Sequence, residues 1–303
     1  MTQGGNSQPL FWRYPKRMLS RILLSIPFGL VFVLSLPCST AETVRFNLVP
    51  RETLEARLGR YTGDNAQREA ALKKMFAEAG CDDQHLSEQP VKGSKLPNVI
   101  CILPGTSDRL IIVGAHFDRV SAGDGVVDNW SSASLLPSLY EGIKNAPHTH
   151  TYIFIGFTDE EKGLVGSHYY VRQMTEAQVA ATDAMVNMDT LGLGPTKVWL
   201  SHSDKRLTYA LVNTANQLDL PIAGINVEQI GSSDSEEFAE RKIPRITIHS
   251  FTQEAFDSRI IHTSKDKISV INFDDYYQTY HLMAAYVAIL DGFLSPSAAP
   301  ASH

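Results

Sequence analysis

Five stretches of the sequence set a histidine or a carboxylate just past an apolar run or in a loop: His116-Phe-Asp118, Asp128, Thr158-Asp-Glu160-Glu161, Asp189 and His262. Singly, each has an ordinary explanation. An Asp at a helix start is usually a cap, paired glutamates usually face solvent, and a lone His is more often structural than a ligand. Together, two imidazoles and three carboxylates without a thiolate form a nitrogen and oxygen donor set that suits Zn²⁺ or a similar divalent ion. Charge narrows the number of ions. Two divalent cations are balanced by Asp128, Glu161, Asp189 and one bridging hydroxide, whereas one ion leaves surplus negative charge in a buried cleft, at a cost of several kcal/mol. Two ions about 3.5 to 4 Å apart can share a carboxylate and polarise one hydroxide. Asp118, two residues past His116, can accept the other ring N–H of that imidazole and fix its tautomer.

Such a set needs a scaffold that brings distant segments to one edge. Continuous apolar runs at 110–116, 151–157 and 184–189 read as strands buried on both faces. They alternate with helical patterns at 129–144 and 162–173, the first carrying Pro137 and so an expected kink. Helices at 51–60 and 65–79, the second capped by Asp64 and stopped by Gly80, precede a hairpin of 84–91 with 98–103. A strand at 197–201, a helix at 205–218, a strand at 245–249 and a C-terminal helix follow. In that last helix Phe273, Tyr276, Tyr277, Tyr280, Ala284, Val287 and Leu290 repeat at helical spacing, a core stripe. The expected fold is α/β, a single three-layer α/β/α domain with a mostly parallel central sheet and an antiparallel hairpin at its start. Ligands bind such sheets outside the carboxyl ends of the strands, where the five stretches fall.

Composition fits one globular domain. Of 303 residues 43% are hydrophobic and 20% charged, and the formal charge is −6, so no basic excess exists for nucleic acid as a partner. Residues 1–41 carry Arg13, Lys16, Arg17 and Arg21 and no acidic side chain, then the apolar run 22–37 and the small residues Ser39-Thr40-Ala41. This reads as a signal peptide for periplasmic or secreted export, because the run is short of the roughly 20 residues of a bilayer span. An uncleaved anchor, and with it contact with a membrane, is the competing reading. The remainder, 42–294, is of a size for one domain, and 295–303 is a polar tail. Cleavage would leave Cys81 and Cys101, either paired in an oxidising compartment or two buried thiols.

At these residues the chain resembles the co-catalytic dinuclear zinc aminopeptidase family, with the glutaminyl cyclases as a divergent branch. The matching stretches are Gly114-Ala-His-Phe-Asp118, Asp128-Asn129, 159–167, Asn187-Met-Asp189, Ser233-Asp234 with Phe238 and Ile243-Pro244, and His262-Thr-Ser-Lys-Asp266. The resemblance implies two Zn²⁺ ions, one held by His116 and Asp189, the other by Glu161 and His262, with Asp128 between them. It implies Glu160 as the general base and peptide or protein N-termini as the substrate. Departures from the pattern are Trp130 in the first helical turn, expected to narrow the pocket or stack on substrate, Ile230 where some members place a tyrosine, and Ser235 where several have a second histidine. His249, at a strand end, is a candidate pocket residue, and His148 and His150 are read as lying away from the site. The rival readings are a single-zinc glutaminyl cyclase and a noncatalytic ectodomain of the same fold. Against the cyclase, no insertion follows Glu161, and Ile261 precedes His262 where cyclases tend to have Trp.

Overall fold

A computed structural model describes residues 44–295 apart from Ile230. The expected leader or anchor, the tail beyond Ser295 and the departure at Ile230 therefore lie outside the described residues. Helices α1 (Arg51–Leu58) and α2 (Asn65–Glu78) open the chain, and the Asp64 side chain caps α2 by accepting from Gln67 N. The strands are β1 (Leu86–Gln89), β2 (Asn98–Leu103), β3 (Leu110–His116), β4 (Thr151–Phe157), β5 (Thr182–Met188), β6 (Lys197–Val198), β7 (Ala223–Gly224) and β8 (Arg245–His249). Between and after them run α3 (Ser131–Ala133), α4 (Leu136–Ile143), α5 (Val165–Gln173), α6 (Glu176–Ala181), α7 (Lys205–Gln217), α8 (Ser235–Glu240), α9 (Gln253–Asp257) and α10 (Phe273–Leu294). Among the described residues no helix is long and apolar enough to cross a membrane.

All eight strands form one sheet in the order β1-β2-β4-β3-β5-β8-β6-β7. Its centre, β4-β3-β5-β8, is parallel. The hairpin β1-β2 joins antiparallel at one side, and β6 runs antiparallel to β8 at the other. Alternate residues of each central strand point to opposite faces. Ile111, Val113, Tyr152, Phe154 and Val186 enter a large core shared with α2, α4 and α10. Ile112, Ile153, Ile155 and Met185 enter a smaller one against Val171 of α5 and Phe238 of α8. Each such side chain contributes about 1.5 to 3 kcal/mol by leaving water, so the strand ends are firm supports for polar residues beyond them.

Three expectations need correction. The helix read at 129–144 is broken into a tight turn, Val126–Trp130, then α3 and α4, with Pro137 in the first turn of α4. Proline lacks the N–H that a continuous helix needs there, and a first turn is where it costs nothing. The strand read at 197–201 ends at Val198, because Leu200–His202 wind into a short 3₁₀ turn. Trp130 does not reach the pocket: it is fully buried, its Nε1 donates to Leu58 O at 3.0 Å, and Arg68 lies over its ring. Cys81 and Cys101 form a disulfide across a Cα separation of 6.3 Å, linking the end of α2 to β2.

Candidate metal centre and active site

The parallel strands present their carboxyl ends along one edge, and the site is built there. His116 is the last residue of β3, and Asp189 directly follows β5. After β4 the chain turns at Asp159, in the left-handed region at φ 51°, into a single 3₁₀ turn, Glu160–Lys162, that aims two adjacent glutamates at one cleft. Asn98 of β2 holds both ends of this turn: its Oδ1 accepts from Thr158 N at 3.0 Å and its Nδ2 donates to Gly166 O at 3.0 Å. Gly166 is required, since a Cβ there would stand 2.4 Å from Thr158 O. Asp128 comes from the turn before α3, and His262, itself at φ 58°, from the loop after α9. Left-handed non-glycine residues at Asp159, Thr190 and His262 thus border the cleft, the kind of backbone strain that collects at functional sites.

The two oxygens of Asp128 face different imidazoles. Oδ1 lies 3.2 Å from His116 Nε2 and Oδ2 lies 3.0 Å from His262 Nε2. Asp189 Oδ1 is 3.9 Å from His116 Nε2, and Glu161 Oε2 is 2.8 Å from His262 Nε2. Two donor groups result, His116-Asp128-Asp189 and Asp128-Glu161-His262, each with its atoms within 4.8 Å of one another. Tetrahedral coordination with bonds of about 2.0 to 2.2 Å puts neighbouring donors about 3.3 Å apart, which the spread brackets. Glu161 Oε1 is buried with no hydrogen-bond partner, which fits an oxygen that would ligate a cation. The donor set fits a pair of divalent ions that share Asp128.

Electrostatics say the same. Burial opposes a charged imidazole at His116, but Glu160, Asp118, Asp128 and Asp189 outweigh it and hold the pKa well above the usual range. Hydrogen bonds to Asp128 and Glu161 push His262 up to about 10. Burial pushes Asp189 up to about 7 and raises Glu160 well above an ordinary carboxylate. Such crowding of buried carboxylates favours cations of any kind, protons included. Glu160 Oε2 sits 3.8 Å from His116 Nε2 and lines the same cleft as both donor groups.

Supporting residues complete the centre. Asp118 Oδ1 is 3.4 Å from His116 Nδ1, longer than the expected hydrogen bond, but the same carboxylate accepts from Glu160 N at 3.0 Å and Glu161 N at 3.3 Å. Asn129, quoted in the sequence without a role, donates to Met188 O at 3.0 Å and accepts from Thr190 N at 3.1 Å, bracketing Asp189. Asp266 accepts from Val127 N at 2.7 Å and Asp128 N at 3.1 Å, and burial pushes it up to about 6. Arg68 of α2 is buried and donates to Thr62 O, Phe117 O, Gly125 O and Asp124 O, gripping the loop that joins His116 to Asp128. The position of Asp266 four residues after His262 was the only hint of its part; nothing in the sequence distinguished Arg68. Asp234 is buried with both oxygens unpartnered, and burial pushes it up to about 7. Ser235, in place of a second histidine, bonds Thr247 Oγ1 at 2.7 Å.

The cleft opens into a cavity of about 220 Å³ walled by Trp199, Val227, Phe251, Ile261 and His249. His249 accepts from Phe251 N at Nδ1 and faces Ile225 O with Nε2, and burial pushes its pKa down to about 3, so the wall is neutral. His148 and His150 lie at the opposite edge of the sheet, His150 between Asp183 and Asp291.

The aminopeptidase YwaD of Bacillus subtilis (strain 168) is 26% identical over 227 residues, 73% of this chain and 47% of its own. Among solved structures, BSAP, a zinc aminopeptidase from Bacillus subtilis, matches with a TM-score of 0.59 at 24% identity over 64% of this chain and 50% of its own. A glutaminyl cyclase from an Acidobacteriales bacterium matches with a TM-score of 0.64 at 15% identity over 80% of this chain and 93% of its own. At these identities the structures establish the fold alone, and the chain spans 35 to 47% of the length of the first curated relatives it matches. The sequence profile described as peptidase family M28 matches residues 98–287, a span that contains every residue of the two donor groups and Glu160. A match over that share of the chain is decisive: the chain belongs to peptidase family M28.

Proposed function

We propose that residues 42–294 form an exported zinc-dependent aminopeptidase that removes apolar N-terminal residues from peptides. The observation that carries this reading is the pair of donor groups joined through the two oxygens of Asp128, with Glu160 beside His116 in the same cleft. His116 and Asp189 would hold one zinc ion and Glu161 and His262 the other; when bound, the ions supply a Lewis acid for the scissile carbonyl and lower the pKa of water. Glu160 takes a proton from the attacking water and passes it to the leaving amine as the C–N bond breaks and the new C–O bond forms. Asp118 keeps the two glutamates in place through their backbone N–H groups. The neutral wall of Trp199, Val227, Phe251 and Ile261 takes an apolar side chain and disfavours a charged one. The disulfide and the basic, apolar N-terminal segment favour export.

The test is Glu160→Gln. It is expected to keep its zinc content, measured by elemental analysis, and to lose about 10²- to 10⁴-fold in turnover of leucyl 4-nitroanilide. Retained turnover rejects Glu160 as the base. Ammonia release from a Gln-initiated peptide, with no cleavage of the anilide, would favour the cyclase instead.

A further inference from the structure

A second cavity of about 460 Å³ adjoins the cleft, and Gly163 lines both. It is bounded by Lys92 of the β1-β2 turn on one side and by His168, Tyr169 and Arg172 of α5 on the other, with no carboxylate among its lining residues. His168 and Arg172 share a helix face, being four residues apart. The Lys92 turn is held near the end of β4 by Ser94 Oγ, 3.4 Å from Thr158 Oγ1. Among the described residues neither Lys92 nor Arg172 forms an ion pair, whereas neighbouring Lys162 is tied to Asp159 at 2.8 Å and His168 to Glu237 at 2.7 Å. Two unpaired cations lining one cavity are notable in a chain of net charge −6.

The direction of the substrate follows from the chemistry. Trp199, Val227 and Phe251 wall the side-chain pocket at the β8-β6 end of the site, while Glu160 stands after β4, three strands away in the sheet. At about 4.8 Å per strand that is about 14 Å. The leaving amine must come within about 2.6 to 3.2 Å of Glu160 to receive its proton, so the leaving chain departs on the β4 side. From Glu160 to Gly163 is three residues of tight turn, about 6 Å at about 2 Å each. Extended chain covers that in two residues at about 3.3 to 3.6 Å each.

We propose that the groove between Lys92 and Arg172 receives a carboxylate of the leaving chain: an acidic side chain two or three residues beyond the cleaved bond, or the C-terminal carboxylate of a short peptide. This rests on Glu160 acting as the base that protonates the leaving amine. The groove is open to such a chain at Gly163, where nothing lies within 4 Å of the position a Cβ would take.

The experiment uses zinc-loaded Glu160→Gln, with and without Lys92→Glu and Arg172→Glu together, and measures binding of leucyl peptides by calorimetry. One arm compares Asp, Asn and Lys at the second residue after the bond in C-terminally amidated pentapeptides; the other compares Leu-Gly-Gly as free acid and as amide. Exposed ion pairs are worth about 1.5- to 5-fold each. The expected result is three- to tenfold tighter binding of the carboxylate-bearing peptide in at least one arm, fading at about 0.5 M salt and lost in the charge-reversed protein. Equal binding of Asp, Asn and Lys peptides together with equal binding of acid and amide overturns the proposal, as does a preference that survives both reversals. Turnover of leucyl 4-nitroanilide by the protein with Glu160 intact separates the two readings, because that leaving group ends short of the groove. Turnover without carboxylate preference rejects the groove alone, and carboxylate preference without turnover rejects the peptidase reading alone. Charge reversal at Lys92 and Arg172 is expected to leave that turnover unchanged, which also checks that the variant is folded.

Discussion

Asp118 faces His116 with one oxygen and meets the backbone of both glutamates of the 160–162 turn with the carboxylate as a whole. An ionised carboxylate accepts only, and here it faces three donors, so replacing one oxygen by NH₂ sets donor against donor. Asp118→Asn is therefore expected to weaken zinc binding or turnover by about 10- to 100-fold, read by chelator competition and by kcat at saturating zinc. Unchanged values in both would reduce Asp118 to a packing residue. The sequence made the ligand candidates legible because their chemistry resides in the side-chain type: an imidazole or a carboxylate past an apolar run. Asn129 and Asp266 were quoted without a role because they act on backbone N–H and C=O groups whose position only the fold supplies. Trp130 was misjudged for the same reason, since its place in the helix gave no sign that its indole turns inward to Leu58.

At the scale of elements, three of the four central parallel strands could be read to the residue, at 110–116, 151–157 and 245–249; the first two are buried on both faces and leave long apolar runs. The short pieces β7, α8 and α9 leave no such pattern, and the loop from β3 to α3 leaves even less. That loop carries Asp118 and Asp128, and its shape depends on Arg68, a cation that stacks 5.4 Å from the Trp130 ring and donates to four carbonyls. Burial and the charge of Arg119 pull its pKa down to about 10, still far above neutrality, so it stays charged. A lysine offers one point of charge where the guanidinium spans several acceptors. Arg68→Lys is expected to lower zinc affinity at least tenfold, with turnover recovering as zinc is added in excess. A lowered melting temperature with unaltered zinc affinity would mean that Arg68 holds the fold and not the centre.

Across the whole molecule the sheet separates two charged regions. One edge gathers the carboxylates proposed to hold zinc. The other is tied by His150, fully buried between Asp291 Oδ1 at 2.8 Å and Asp183 Oδ2 at 3.1 Å, which joins the starts of β4 and β5 to the end of α10. Arg109 holds Asp183 from the far side. Burial opposes the charged imidazole, but the two carboxylates prevail and raise the His150 pKa. Burial likewise opposes both carboxylates, and their hydrogen bonds, from Arg109 and His150 to Asp183 and from His150 to Asp291, lower them. The signs differ. The contribution of His150 is complete below the free imidazole value of about 6.5 and is lost as pH rises through its raised folded pKa; that of the aspartates is complete above about 3.8 and is lost as pH falls through their lowered ones. The window in which all three are charged lies between those limits. His150→Gln is expected to cost about 2 kcal/mol there, on the scale of charged hydrogen bonds, or roughly 4 to 8 °C in melting temperature. The deficit should shrink as pH rises past the His150 pKa. Calorimetric scans of both proteins at fixed zinc across pH 4.5 to 9 check this, and a deficit that stays constant over the range would show that packing, not charge, accounts for His150.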